Sequence, residues 1–192
     1  MMTRKILKPV IVALTVALAA TSIGGIAVAK MKDKAPIVGG APMFPTQTIV
    51  ENASKAKNLT TLVAAVKAAG LVETLSGPGP FTVFAPTNAA FGKLPAGTVE
   101  TLVKPENKDT LTTVLTYHVV AGRMTAADIV KAIKMGGGTA TLTTVQGGAL
   151  TAKLQGTKLV LTDAKGGKSM VTIANVMQSN GVVHVIDSVL MP

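Results

Sequence analysis

Two histidines, His118 and His184, are the groups in this chain best suited to proton transfer or metal ligation near neutral pH. Neither stands in an H-E-x-x-H or other close ligand spacing, so a metal would need carboxylates brought in from afar. His184 lies inside the apolar run Val182-Val183-His184-Val185-Ile186, which favours a buried, hydrogen-bonded histidine over a ligand. Gly167-Lys168-Ser169 has the ending of a phosphate-binding loop. Thr162 occupies the position of that loop's first glycine, however, and Met170-Val171-Thr172-Ile173 continues as a strand rather than a helix. No G-x-S-x-G occurs, and the nine carboxylates form no close pair. The absence of cysteine removes thiolate chemistry and disulfides. No catalytic residue, metal ligand or cofactor is assigned.

Charge is the other chemical feature. The net charge is +10, from 19 Lys and Arg against nine Asp and Glu. Such a balance serves solubility and also draws a protein to anionic surfaces. Lys153, Lys158, Lys165 and Lys168 fall within sixteen residues and are opposed only by Asp163. They read either as a basic rim for an acidic partner or as lysines that protect sheet edges from aggregation. Aromatics make up 3% of the chain and do not interleave with the lysines, which argues against nucleic acid as a partner.

Residues 1–29 have the form of an export signal. Arg4, Lys5 and Lys8 precede an apolar run, and Ala27-Val28-Ala29 offers a cleavage site before Lys30. The same stretch is about long enough to serve as an uncleaved anchor, and either reading places the rest of the chain in the periplasm or outside the cell. Residues 30–44, with prolines and Gly39-Gly40, read as a linker, and 45–192 as one domain.

Within that domain, Thr48-Ile49-Val50-Glu51 is a capping-box signature. Leu59, Leu62, Val63 and Val66 recur at helical spacing before Gly70, and Leu111, Val114, Leu115 and His118 trace a second stripe. Thr125 opens a helix that Gly136-Gly137-Gly138 stops. From there the period becomes two, predicting strands over 139–145, 149–155, 158–162, 170–176 and 182–187. Helices in the first half and strands in the second predict an α+β fold.

Three segments resemble the fasciclin-like domain family. They are Phe81-Thr82-Val83-Phe84-Ala85-Pro86-Thr87-Asn88-Ala89-Ala90-Phe91, then Tyr117-His118-Val119-Val120, then Asn180-Gly181-Val182-Val183-His184-Val185-Ile186-Asp187. The resemblance runs over about residues 45–190 and is to the secreted single-domain bacterial type. It implies a β-wedge or sandwich of about seven strands flanked by helices, with Phe81, Phe84, Pro86, Thr87, Asn88, Phe91, Asn180, Gly181, His184 and Asp187 acting mainly as fold-makers.

The resemblance also implies use in cell adhesion, matrix or biofilm contact and surface association, without a shared catalytic centre. In animal members an Asp–Ile pair is linked to integrin contact. The matching stretch here is Ile173-Ala174-Asn175-Val176-Met177, so Asn175 stands where that acid would be. Tyr117 and His118 match another adhesion-linked segment, although the apolar stripe gives His118 an internal role as well. The candidate interaction residues are therefore Tyr117, His118, Asn175, Val176 and Met177, with the lysines at 153, 158, 165 and 168. The expected partner is a surface protein or an acidic polysaccharide, with an anionic membrane surface as a further option. A small-molecule or lipid carrier is the competing reading. Oligomeric state is not legible.

Overall fold

The computed structural model describes residues 35–192, and the expected export signal at 1–29 lies outside them. The expected linker needs correction where it is described. Its end forms a hairpin of strands β1 (Ile37–Val38) and β2 (Ala41–Pro42), turned through Gly39 and Gly40, which both hold positive φ. Val38 and Met43 are buried in the main core, so this stretch is part of the domain. Its prolines and glycines built a turn rather than a free tether.

Three short helices follow: α1 (Ile49–Ala53), α2 (Thr60–Ala69) and α3 (Val72–Ser76). The capping box at Thr48 and Glu51 forms as its spacing predicts. Gly70 ends α2 in the left-handed conformation, with φ 73°. Strand β3 (Phe81–Pro86) leads to α4 (Asn88–Phe91), α5 (Thr98–Leu102) and a 3-10 turn (Pro105–Asn107). Helix α6 (Lys108–Tyr117) delivers the chain to β4 (Val119–Ala121), and α7 (Ala126–Met135) starts from a second capping box, Thr125 with Asp128. Strands β5 (Thr139–Thr143), β6 (Ala149–Gln155), β7 (Lys158–Thr162), β8 (Lys168–Gln178) and β9 (Gly181–Ile186) complete the fold.

Seven strands form one sheet in the order β4-β3-β9-β8-β7-β6-β5. Its two ends meet through a bridge between Val120 and Thr144 and a 2.7 Å bond from the Val145 N–H to the Val119 carbonyl, so the sheet nearly closes on itself. Two register shifts in β8, between Val171 and Ile173 and between Ile173 and Val176, supply the bends that closure needs. All pairings are antiparallel except β3 with β9, which run parallel from Phe81↔Gly181 to Pro86↔Ile186.

That parallel pair divides two cores. Val83 and Ala85 of β3, with Val183 and Val185 of β9, face a helical core shared with α1, α2, α3 and α6. Phe84 and Ile186 face the core inside the curled sheet, with Ile129 and Ile133 of α7 and Leu150, Ala152 and Leu161. Both faces of β3 are therefore buried, which is why its sequence is apolar apart from Thr82, whose hydroxyl donates to the Gly122 carbonyl at 2.6 Å and accepts the Met124 N–H at 2.8 Å. Burying Phe84 contributes roughly 2–3 kcal/mol.

Candidate interaction surface

The structure moves Tyr117 and His118 away from any surface role. Tyr117 is fully buried. Its hydroxyl donates to the Ala149 carbonyl at 2.8 Å and accepts from the Ala164 N–H at 3.1 Å. Burial, with the nearby Asp163 carboxylate, raises its ionisation above the ordinary tyrosine value despite the Ala164 bond. His118 is 2% exposed. It lies 2.8 Å through Nδ1 from the Val114 carbonyl, and its Nε2 accepts the Leu190 N–H at 3.0 Å. One nitrogen must donate and the other accept, which fixes a neutral ring. Burial lowers its pKa to about 4, against the smaller opposing pulls of the Val114 carbonyl and Asp163. This pair bolts α6 to β6, to the β7–β8 turn and to the C-terminal segment. It makes an internal joint, out of reach of a partner's surface.

A second polar joint explains His184 and Asn175. The His184 ring stacks on Phe84, its neighbour across the parallel strands, with centroids 5.6 Å apart. Nε2 donates to the Met124 carbonyl at 2.9 Å, and Nδ1 accepts the Asn175 N–H at 3.4 Å. Burial lowers the His184 pKa, opposed by the Met124 bond. Asn175 sits in a β8 bulge at φ 59°, a conformation asparagine tolerates better than most residues. Its side-chain oxygen accepts the Ala126 N–H at 2.7 Å, at the start of α7. Asn175 is thus exposed, but its oxygen is already committed to that helix end. Val176 is buried in the helical core and drops out of the candidate surface, whereas Met177 is half-buried.

Asn180 does more than help close the turn between β8 and β9. The two-residue loop is Ser179-Asn180, and Gly181 is already a strand residue opposite Gln178. The Asn180 amide donates to the Leu75 and Gly77 carbonyls at 2.7 and 3.0 Å and accepts the Ile49 N–H at 3.1 Å. Gly181 is required because a Cβ there would sit 2.1 Å from the Phe81 carbonyl oxygen. Asn88 likewise serves α2, whose own start lacks a side-chain cap, by accepting the Thr61 N–H at 3.0 Å. Thr87 caps α4 through the Ala90 N–H at 3.2 Å. These partners lie 27 to 131 residues apart for Asn88 and Asn180, a distance no local sequence signal spans.

Asp187 accepts the Met170 N–H at 2.8 Å and pairs with Lys93 at 3.5 Å. Partial burial works to raise its carboxyl. The Met170 N–H, the Lys93 charge and the Ser188 hydroxyl outweigh it and hold the group below its ordinary value. Among the described residues, no three His, Asp or Glu side chains converge as metal ligands. No described helix is long and apolar enough to cross a membrane.

What remains on the surface is the lysine cluster. Leu150, Ala152, Leu159 and Leu161 face the inner core, so the alternate positions of β6 and β7 face outward. Register then places Lys153 opposite Val160, Lys158 opposite Gln155 and Lys168 opposite Thr162, all on one outer face. Lys165 lies in the β7–β8 turn, and all four lysines are exposed. Strand spacing sets the three backbones about 8 to 14 Å apart. Exposed Thr141 and Thr143 of β5 extend the face. Residues 129–186 hold six lysines and a single acid, Asp163. Asp163 is buried, and its carboxylate accepts the Lys165, Gly167 and Met191 N–H groups at 3.0, 2.7 and 3.0 Å. The face therefore carries no exposed carboxylate to balance its lysines.

The pattern of the fasciclin domain matches residues 57–192. The chain belongs to the fasciclin family. This fasciclin domain is 50% identical over 169 residues to protein sll1483 of Synechocystis, covering 87% of each chain. It is 43% identical over 145 residues to the immunogenic protein MPB70 of Mycobacterium bovis, covering 73% of this chain and 66% of that one. Its fold matches a domain pair from the insect cell adhesion molecule fasciclin I with a TM-score of 0.67. That match has 19% identity and covers 76% of this chain and 51% of the other. The family is one of extracellular and cell-adhesion modules, and the expected β-wedge flanked by helices is the fold found.

Proposed function

We propose that this fasciclin domain is an extracytoplasmic adhesion module that makes non-catalytic contact with an acidic polysaccharide of a cell surface or matrix. The outer face of β6–β8 carries the reading, because Lys153, Lys158 and Lys168 share it and no exposed acid opposes them. The export signal in the sequence and the adhesion history of the family support the location. Each exposed charge contact contributes up to about 1 kcal/mol, so the face works by summing weak contacts that salt screens.

The test is binding of the purified protein to extracted acidic surface polymer, titrated with salt. Wild type should bind with an affinity that falls steeply as salt rises. Lys153→Glu, Lys158→Glu and Lys168→Glu combined should weaken binding at least tenfold with stability unchanged. Undiminished binding by the triple variant would place the contact elsewhere. Binding to anionic vesicles or to a surface protein, but not to the polymer, would replace the proposed partner.

A further inference from the structure

The helical core is incompletely filled. An apolar cleft of about 30 Å³ lies among α1, α2, α3 and α6, with partly exposed Val50, Val63 and Val72 at its rim and Phe84, His118 and Val119 at its floor. A second void of about 20 Å³ lies beside it, toward Val38, Met43 and Val176. The two share Ile49, Ala53, Leu62 and Val83 in their walls, so both run beneath α1.

We propose that this cleft is a binding site for one unbranched hydrocarbon chain, the chemistry shared by fatty acids and lipid tails. The polar side chains that reach either void are His118, Asn52 and Gln178, and each is already paired. His118 spends both ring nitrogens on Val114 and Leu190. Asn52 exchanges bonds with the Phe44 backbone and donates to Gln178, whose amide also donates to the Val176 carbonyl. The walls therefore offer no donor or acceptor to a head group, and only methylenes are matched there. The row of two voids along one helix favours a linear chain over a ring. At its resting size the cleft admits the end of a chain, and deeper entry requires the roof to yield. That roof is a five-residue helix whose Val50 and Ala53 are only partly buried.

The site shares no residue with the lysine face, so either proposal stands or falls alone. Methyl-labelled protein, prepared without detergent, is titrated with saturated fatty acids of six to twelve carbons and with the matching n-alcohols. Shifts should concentrate at Val50, Val63, Val66 and Val72, while Leu161 and Val120 of the other core stay fixed. Affinity should rise up to about fourfold per added methylene, the equivalent of about 0.8 kcal/mol. Acids and alcohols of one length should bind alike, because the head remains outside. Ala53→Leu, which fills the shared wall, should weaken binding at least tenfold. Val63→Phe, which narrows the mouth without entering the core, should do the same where the first variant folds poorly. Absence of shifts at the rim valines, shifts spread over both cores, or full binding by the narrowed variant would overturn the proposal. Chain binding only from phospholipid vesicles would assign the site to lipid tails, and binding of free fatty acid would assign it to a soluble ligand.

Discussion

Acid should loosen this domain well before its carboxylates protonate, and His118 is the reason. The ring is neutral in the fold, with a pKa of about 4 against 6.5 in the unfolded chain. Between those values the unfolded state binds more protons than the native state, so stability falls as pH falls through that window. Above pH 6.5 the ring is neutral in both states and its contribution is fully present. At pH 5 the difference amounts to about 2 kcal/mol, and by pH 4 to about 3 kcal/mol. His184 has its pKa lowered by burial and acts with the same sign. The carboxylates held low, Glu51, Asp128 and Asp187, lose their contributions only in more acidic solution, which leaves pH 5 to 7 to the histidines. Urea denaturation at pH 7.5, 6.5, 5.5 and 5.0 measures the effect. Wild type should lose stability progressively below pH 6.5, and His118→Gln, less stable at pH 7.5, should lose most of that slope. A flat profile between pH 7 and 5, or a variant with the wild-type slope, would refute the neutral-bolt argument.

Asn180→Ala should destabilise by about 2–4 kcal/mol, since it strands buried backbone groups of α1 and α3. A thermal melt should register that as a fall of roughly 6–12 °C in a domain of this size. Tyr117→Phe removes the bonds to Ala149 and Ala164 and should cost about 1–3 kcal/mol, while polymer binding measured below the melting range stays at wild-type strength. Weakened binding in that folded variant would return Tyr117 to the interaction surface.

Most of the elements were legible because their signals are local. The capping boxes at Thr48 and Thr125, the left-handed Gly70 and the strand periods after residue 138 are each written within a few residues. The hairpin at 37–42 was not legible, because Gly39-Gly40 and the prolines suit a turn and a tether equally. Its membership of the fold depends on Val38 and Met43 finding a core built mostly from later residues. Helices α3 and α5 have five residues each, too short to display a period. The site was legible in type but not in direction. The lysines stood out by charge, yet only strand register shows that three of them share a face. Tyr117 and Asn175 drew notice through the family pattern, and their hydrogen bonds to Ala164 and Ala126, 47 and 49 residues away, reveal joints instead.

Strand β9 sits between β3 and β8, yet it comprises residues 181–186, some 100 residues after the strand it pairs with at Phe81↔Gly181. Every wall dividing the two cores waits for it. A polypeptide emerging from its N-terminus, whether from a ribosome or through a pore, can form its helices and the β5–β7 meander early. Neither core can seal until residues 181–190 are free, because Val183 and Val185 belong to one core and Ile186 and Leu190 to the other. Cooperative folding is thereby postponed until that strand has emerged, and loss of residues 181–186 removes the middle of the sheet rather than its margin. A chain that lacks β9 should remain open to proteolysis, and one that contains it can close around that strand.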